Sequence, residues 1–356
     1  MKTREWKEFQ VGGKNGLFTV KSSVCEIDLI NLNTDDGSIP YITRSHSRNG
    51  IAKLVKEEQN EGYIKNKGNV ITIGLDTQTV FYQPVDFFTG QNIQIIDHPK
   101  MNESIAQFLI PLFKTQLEKF NWGGNGATLR RLNALKIMLP VTKNGNPDWE
   151  FMEHKGAIIY SKKKNKILKY LINKQEELKK KLEMNKKLDN VKWKGFTVEE
   201  LFQIKSGVRL TKKDMIVGKL PFIGASDSNN GITNFVQNTN NSLDKNVLGV
   251  NYNGSVVESF YHPYYAIFSD DVKRLSLKNR EGNKYIYLFV KTMILKQKNK
   301  YMYAYKFNAR RMNRQKIMLP VTNKGTPDWD YMELYMKKIE YKKLDEVIAY
   351  LKNKKF

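Results

Sequence analysis

The sequence predicts an α+β fold made of two tandem copies of one domain, each followed by a long helix, with the helices pairing as an antiparallel coiled coil. The first observation is an internal repeat: residues 136–153 recur as residues 316–333, with 13 of 18 positions identical. The second is the mixed pattern inside each copy, where β-branched runs alternate with segments whose apolar residues lie three and four apart. A repeat this long differs from a solenoid repeat because each copy can bury its own core.

The repeat extends well beyond this closing block. The pair Arg130-Arg131 matches Arg310-Arg311 at the same offset, and residues 39–51 align with residues 220–232. We therefore predict one domain over residues 1–146 and a second over 193–326, with helices over 147–192 and 327–356.

Shorter elements follow from the local patterns. The predicted strands cover residues 69–75, 79–82, 93–96, 247–250 and 265–268. The predicted helices within the domains cover residues 101–120 and 283–298.

Each long helix has a start signal in the sequence. Asn146-Pro147-Asp148 and Thr326-Pro327-Asp328 combine a capping residue, a proline suited to the first turn and an acid near the positive end of the helix dipole. We predict helices from Pro147 to Asn190 and from Pro327 to Phe356. Because one amphipathic helix cannot hide its own apolar stripe, the two should pair; folding of each helix onto its own domain is the alternative.

Composition and charge indicate the class of partner. The 356 residues include 60 Lys and Arg against 36 Asp and Glu, a formal net charge of +24, and each predicted segment is net basic. This balance favours a long polyanion over a small metabolite, while 40% hydrophobic residues allow folded cores. The single cysteine, Cys25, allows no internal disulfide, and no run is long and apolar enough to span a membrane. We expect a soluble cytoplasmic protein with double-stranded DNA as its partner.

The informative differences between the copies lie in one polar segment. Between shared flanks, residues 43–48 read Thr-Arg-Ser-His-Ser-Arg and residues 224–229 read Gly-Ala-Ser-Asp-Ser-Asn. Arg suits guanine, Asn suits adenine and Asp can accept a hydrogen bond from cytosine, so these segments are candidate base-reading loops. The alternative is two ordinary polar turns that have drifted apart. The predicted DNA-contacting residues are Arg44, Ser45, His46, Arg48, Asn49, Tyr82, Asn125, Arg130, Arg131, Arg209, Ser226, Asp227, Asn229, Asn230, Tyr261, Tyr305, Lys306, Arg310 and Arg311.

No catalytic motif survives comparison between the copies. Pro147-Asp148 with Glu153-His154-Lys155 mimics a metal-dependent nuclease, but the second copy has no lysine at the matching position. The four histidines show no metal-ligand spacing. We predict no catalytic residue and no metal site.

The two divergent units, each closing in a proline-containing strand followed by a long helix, resemble the DNA specificity subunit of Type I restriction-modification systems. The run Trp122-Gly-Gly-Asn-Gly126 leading to Arg130-Arg131 is similar to that family's target recognition domain ending. The block Lys-Ile-Met-Leu-Pro-Val-x-x-x-Gly-x-Pro-Asp-Trp is closer still to the recognition subunits of Bcg-like Type IIB enzymes. The second copy departs from the pattern, since it lacks the glycine run.

The resemblance implies two target recognition domains, each reading one half of a bipartite asymmetric DNA site, with the helices as spacers. It also implies that the helices dock modification subunits and a restriction subunit, that S-adenosylmethionine is bound by the methyltransferase partner and that this chain binds no cofactor. A stand-alone nuclease or methyltransferase, or a tandem-domain DNA-binding scaffold or repressor, is the alternative.

Overall fold

The computed structural model describes residues 4–34, 36–120, 126–183, 191–301 and 305–354. The chain divides into two compact units: residues 1–169 with 351–356, and residues 170–350. Each unit thus contains one domain, part of the helix that follows it and a segment of the other long helix.

The first unit contains nine strands and the start of a long helix. Its strands are β1 (Trp6–Gln10), β2 (Thr19–Ser22), β3 (Ile39–Ile42), β4 (Ile51–Val55), β5 (Val70–Gly74), β6 (Val80–Gln83), β7 (Phe88–Thr89), β8 (Ile93–Asp97) and β9 (Lys136–Pro140). Its helices are α1 (Glu103–Leu117), α2 (Leu129–Ala134) and the first part of α3 (Trp149–Glu183).

The second unit repeats this series with one extra short helix. Its strands are β10 (Lys192–Thr197), β11 (Phe202–Ser206), β12 (Val217–Ile223), β13 (Ile232–Val236), β14 (Val247–Asn251), β15 (Ser259–His262), β16 (Ile267–Phe268), β17 (Val272–Leu277) and β18 (Lys316–Val321). Its helices are α4 (Val198–Leu201), α5 (Lys284–Leu295), α6 (Ala309–Arg314) and most of α7 (Trp329–Asn353). The strand predicted over residues 265–268 is confined to its last two residues.

Strand order is the same in both units. The first has a four-stranded sheet in the order β2-β8-β5-β6, a three-stranded sheet β4-β3-β7 and a two-stranded ribbon β1-β9. The second has β11-β17-β14-β15, β13-β12-β16 and β10-β18. In both three-stranded sheets the first pairing is antiparallel and the second parallel. The predicted α+β duplication is therefore confirmed down to strand pairing.

The core of each unit lies between its four-stranded sheet and one helix. In the first unit, Ile71 and Ile73 of β5 are fully buried with Leu109 and Phe113 of α1. Strand β5 is buried at all five positions, in keeping with the apolar residues on both of its faces. The strands that flank the polar loops lie in the three-stranded sheets.

Both long helices begin two residues later than predicted. The carboxylate of Asp148 accepts a hydrogen bond from the Phe151 amide at 3.0 Å, and Asp328 caps Tyr331 in the same way at 2.9 Å. The prediction that Asn146 and Thr326 act as N-caps was wrong, because the aspartate carboxylate reaches the orphan amides of the first turn. The predicted extension of α3 to residue 190 lies outside the described residues.

The two long helices pack against each other, as predicted. In the first unit, Lys164 of α3 donates at 2.8 Å to the carbonyl of Lys354, the residue that follows the end of α7. In the second unit, Lys174 pairs with Glu340 at 2.6 Å and Gln175 donates to Asp345 at 3.1 Å.

A glycine permits close packing of α3 in the first unit. A Cβ on Gly156 would lie 1.7 Å from the Ser104 carbonyl oxygen, so any side chain here would push α3 away from α1.

Among the residues the structure describes, no helix has the length and hydrophobicity of a membrane span.

Candidate nucleic-acid interface

The two polar segments singled out in the sequence form equivalent hairpin loops. Residues 43–50 join β3 to β4 and residues 224–231 join β12 to β13. In the first loop, the Ser47 amide donates to the Ser45 hydroxyl at 3.2 Å; in the second, the Ser228 amide donates to Ser226 at 3.1 Å. Ser45 and Ser226, which were predicted to contact DNA, shape the loops through these bonds.

An asparagine fixes the end of each loop to the neighbouring sheet. The Asn49 side-chain amide donates to the Tyr82 carbonyl at 2.7 Å, and Asn230 donates to the Tyr261 carbonyl at 3.3 Å and to the Tyr264 hydroxyl at 2.8 Å. Both asparagines adopt a left-handed backbone conformation, with φ of 57° and 54°. Asparagine tolerates this conformation better than most residues, so its presence in both copies has a conformational reason.

The loop tips carry the side chains that differ between the copies. His46 and Arg48 in the first loop, and Asp227 and Asn229 in the second, are exposed. Within the described ranges, these four side chains have no hydrogen-bond or ion-pair partner. They are free to contact a ligand. The side chains of Ser45, Asn49, Ser226 and Asn230, in contrast, bond within the loop or to the neighbouring sheet.

Arg44 is held by a carboxylate from another loop. Its guanidinium forms an ion pair with Asp76, which follows β5, and its side chain remains 40% exposed. The second loop has Ala225 at this position, where its carbonyl oxygen lies 2.8 Å from the position a Cβ on Gly254 would take. The loops therefore share a framework and differ in both charge and support.

The hydroxyls of the two tyrosines predicted to contact DNA bond within the fold. The Tyr82 hydroxyl donates to Asn69 at 2.6 Å, and the Tyr261 hydroxyl donates to Asn246 at 2.9 Å. Burial raises the pKa of both phenols, so both remain protonated donors. Tyr82 is buried in the core of the first unit and Tyr261 is partly buried in that of the second, and their contacts with DNA stay predictions.

The paired arginines divide their roles in the same way in both units. The Arg131 guanidinium donates to the Gly126 carbonyl at 2.9 Å, and Arg311 donates to the Lys306 carbonyl at 2.8 Å. Each closes the turn that leads into its short helix, α2 or α6. The preceding arginines, Arg130 and Arg310, are exposed and available to an outside ligand.

The remaining predicted contacts lie on other elements. Arg209 follows β11 and is exposed, 3.7 Å from the Asp270 carboxylate. The Arg311 guanidinium carbon lies 3.7 Å from the ring centroid of Tyr305, which is half-exposed, and Lys306 precedes α6. Asn125 and the other residues of the glycine run before Gly126 lie outside the described residues.

The carboxylates that mimic a nuclease site are engaged in the fold. Asp148 caps α3 and pairs with Arg4, and Glu153 accepts a hydrogen bond from Asn102 at 2.8 Å. In the second unit, Glu333 accepts from Asn283 at 2.6 Å. No three His, Cys, Asp or Glu side chains cluster as metal ligands within the part of the chain that the structure describes.

Sequence reasoning missed two groups of residues. Asp76 was not selected because its partner lies 32 positions away and only the fold joins them. Arg314 and Lys316 were not selected although both line a basic groove beside α6. Alignment of the two copies of the repeat shows that Ala134 stands where the second copy has Arg314, so the sequence carried a signal for this difference.

Two sequence comparisons identify relatives of the whole chain. Residues 4–182 and 190–349 each match the family described as Type I restriction modification DNA specificity domain. The chain is also 45% identical over 315 residues to the Type II restriction enzyme BgcI specificity subunit S.BcgI of Heyndrickxia coagulans, covering 86% of this chain and 88% of that protein.

The chain also resembles two solved structures. The Type-I restriction-modification system S subunit from M. genitalium is 17% identical with a TM-score of 0.43, covering 99% of this chain and 94% of the other. The HsdS subunit from Thermoanaerobacter tengcongensis is 10% identical with a TM-score of 0.33, covering 98% and 90%.

Family membership rests on the sequence matches, which extend through both units and include the repeated closing blocks. The chain belongs to the Type I restriction modification DNA specificity domain family and is a DNA specificity subunit of a restriction-modification system.

Proposed function

We propose that this chain is a non-catalytic recognition subunit that reads a bipartite, asymmetric DNA site and brings methyltransferase and restriction subunits to it. The observation that carries the proposal is the pair of loops at residues 43–50 and 224–231. Their internal hydrogen bonds coincide, while their exposed side chains differ in charge and in hydrogen-bonding capacity. Such loops can present two different readouts from one framework.

The fusion of two unequal units explains the asymmetry of the proposed site. A homodimer reads a palindrome because its halves are identical, with half-sites about one helical turn apart. Two units in one chain are free of that constraint. The net charge of +24 supplies attraction to the phosphate backbone, whereas the loop tips supply base preference.

Partner docking on the helices is supported by a repeated exposed apolar face. On α3, Ile167 is 51% and Tyr170 64% exposed; on α7, Val347 is 45% and Tyr350 63% exposed. These residues lie one turn apart on each helix and correspond to one another in the repeat. We propose that each face docks one copy of the same modification subunit, which methylates adenine.

The chain itself would supply no chemistry. The acids at the starts of both long helices are used as caps and as hydrogen-bond acceptors, which supports a structural role for them. S-adenosylmethionine would be bound by the methyltransferase subunit, with no cofactor on this chain, and the complex would act on DNA in the cytoplasm.

The test is to express the chain with a candidate modification subunit and to map methylated adenines across the genome. We expect one bipartite, asymmetric motif that is absent when this chain is omitted. A short palindrome, or no motif, would contradict the proposal. Modification or cleavage of DNA by the purified chain, with S-adenosylmethionine or Mg²⁺ added, would favour the enzyme alternative; specific binding without any modification partner would favour a scaffold or repressor.

A further inference from the structure

A groove beside α6 in the second unit is strongly basic. Its cationic lining consists of Lys300, Arg310, Arg311, Arg314 and Lys316, and no Asp or Glu belongs to its described lining. The remaining lining is aromatic or amide in character.

The walls of this groove are fixed by internal contacts. The Arg311 guanidinium lies over the Tyr305 ring, 3.7 Å from its centroid, while it donates to the Lys306 carbonyl. The Gln315 side-chain oxygen accepts a hydrogen bond from the Tyr301 hydroxyl at 2.6 Å, and Gln315 is buried. The groove is therefore a shaped feature with defined sides.

Its charges are left without counterions. Arg310, Arg314 and Lys316 have no carboxylate within ion-pair distance in the residues that the structure describes. The Glu200 carboxylate acts electrostatically with Lys316 but is already bound to the amide and hydroxyl of Thr197. Converging cations that lack an internal partner are typical of a site for an external anion.

The equivalent groove of the first unit has three cations in its lining where this one has five. They are Lys119, Arg131 and Lys136. Ala134 stands where the second unit has Arg314, and Arg130, the counterpart of Arg310, is not part of the lining.

The first unit also pairs Lys136, the counterpart of Lys316, with an acid. Glu8 on β1 lies opposite Met138 and pairs with Lys136 at 2.7 Å. In the second unit, the register position opposite Met318 is occupied by Gly195, so no acid is available there. The lining of the second groove thus has two more arginines, Arg310 and Arg314, and lacks the acid of the first.

We infer that the second unit carries a phosphate site at this groove and that the first unit does not. The ligand is a phosphate of the DNA backbone, whose oxygens suit the guanidinium fork of Arg314 and the ammonium of Lys316. This inference rests on the proposed DNA-binding function and adds an asymmetry of affinity to the asymmetry of base reading. The second unit holds the duplex more firmly than the first.

The test measures binding of the full chain to duplex DNA as a function of salt. Each phosphate that the protein neutralises adds about 0.9 to the magnitude of the negative slope of log K against log salt, so loss of one contact reduces that magnitude by about 0.9. We expect that reduction in Arg314→Ala and in Lys316→Ala, for specific and non-specific duplexes alike. The matched control is Lys136→Ala, whose lysine already pairs with Glu8 and should leave the slope unchanged.

A gain-of-contact variant tests the same idea in reverse. Glu8→Gly frees Lys136 from its ion pair. The salt dependence of DNA binding should then become steeper, toward that of a chain with one more phosphate contact. The inference is overturned if the wild type binds DNA and the slopes of Arg314→Ala and Lys316→Ala are unchanged. Failure of the wild type to bind DNA would instead count against the proposed function. Inorganic phosphate could also stabilise the wild type thermally. If Arg314→Ala loses that stabilisation while its DNA slope is unchanged, the groove binds a free anion and the inference is likewise overturned.

Discussion

At the scale of single residues, the duplication supplies internal comparisons that one domain could not. Ser45 and Ser226 make the same bond in both loops, so their presence in both copies reflects loop shape. Arg44 and Ala225 occupy the same position and differ completely in charge. Residues that recur with the same contact belong to the framework, and those that differ at the surface are the candidates for recognition.

The Arg44–Asp76 pair gives the first residue-scale prediction. A carboxylate on one side of a guanidinium fixes its direction and leaves other N–H groups free to bond guanine. Arg44→Ala should remove the preference at one base pair of one half-site, about 1–3 kcal/mol of discrimination. Asp76→Ala should weaken the same preference while leaving the other half-site intact. Binding is measured by competition among duplexes substituted at each position.

The control for this prediction is Asp227→Ala, which should change preference only in the other half-site. An equal loss of affinity across all sequences for Arg44→Ala would instead mark Arg44 as a phosphate contact.

His262 gives the second residue-scale prediction. Its ring is fully buried in the second unit, and burial lowers its pKa from 6.5 to about 4. The folded state therefore holds the neutral ring, while the unfolded state binds a proton below pH 6.5. Stability is fully present above that pH and is lost as the pH falls toward 4, by up to about 3 kcal/mol.

Hydrogen exchange resolves the effect by unit. Amides of β14 and β15 should lose protection between pH 6.5 and 4, after correction for intrinsic exchange. Amides of β5 and β6 serve as the control, because Gln83 occupies the equivalent position there and donates to Thr72 at 3.0 Å. Equal loss of protection in both units, or persistence of the loss in His262→Gln, would contradict the prediction.

At the scale of elements, the junctions between domain helices and long helices use opposite charges in the two units. In the first, Glu103 of α1 pairs at 3.1 Å with Lys354, which directly follows α7. In the second, Lys284 of α5 pairs with Glu340 of α7 at 2.7 Å, and Glu340 also receives Lys174 of α3. Burial raises the pKa of Glu340, but hydrogen bonds from Lys174, Lys284 and Tyr285 outweigh it and lower the pKa to about 2.

Glu340→Gln should destabilise the second unit because two lysines lose their shared counterion. The side chain of Glu340 is 18% exposed, and we expect a loss of about 1–2 kcal/mol, seen as a drop of several degrees in Tm by calorimetry. The control on the same helix is Glu346→Gln, whose exposed partner Lys343 should make the change nearly silent. If both variants melt alike, the junction contributes no more than a surface pair.

At the scale of the whole molecule, one chain carries two recognition units and two long helices with matching exposed faces. We predict that Tyr170→Glu and Tyr350→Glu each reduce the number of modification subunits bound, because a charge opposes burial of an apolar face. The double variant should bind none while still binding DNA. Stoichiometry is measured by light scattering of the co-expressed complex.

Asp345→Asn serves as the control, since it keeps the polar contact of α7 with Gln175. Full stoichiometry in the double variant would show that the partner docks elsewhere.

Much of this protein could be predicted from its sequence, because duplication and periodicity are local properties of the chain. The repeated blocks predicted two equivalent units, and the apolar stripes predicted two long helices that pair. The loop positions also followed, since shared flanks enclosed differing polar residues. That the hydroxyls of Tyr82 and Tyr261 bond to asparagines within the fold did not follow, because the sequence does not show which strand face turns inward.

Only the tertiary structure decided which polar side chains are committed to the fold. Asp76 reaches Arg44, Asn49 reaches the β6 backbone and Glu8 reaches Lys136 through pairings between residues far apart in the chain. Such pairings depend on strand register and loop packing, which sequence spacing does not encode. The sequence therefore determined that the chain has two units with unequal loops, and the structure decided which loop side chains are bonded within the fold and which are exposed.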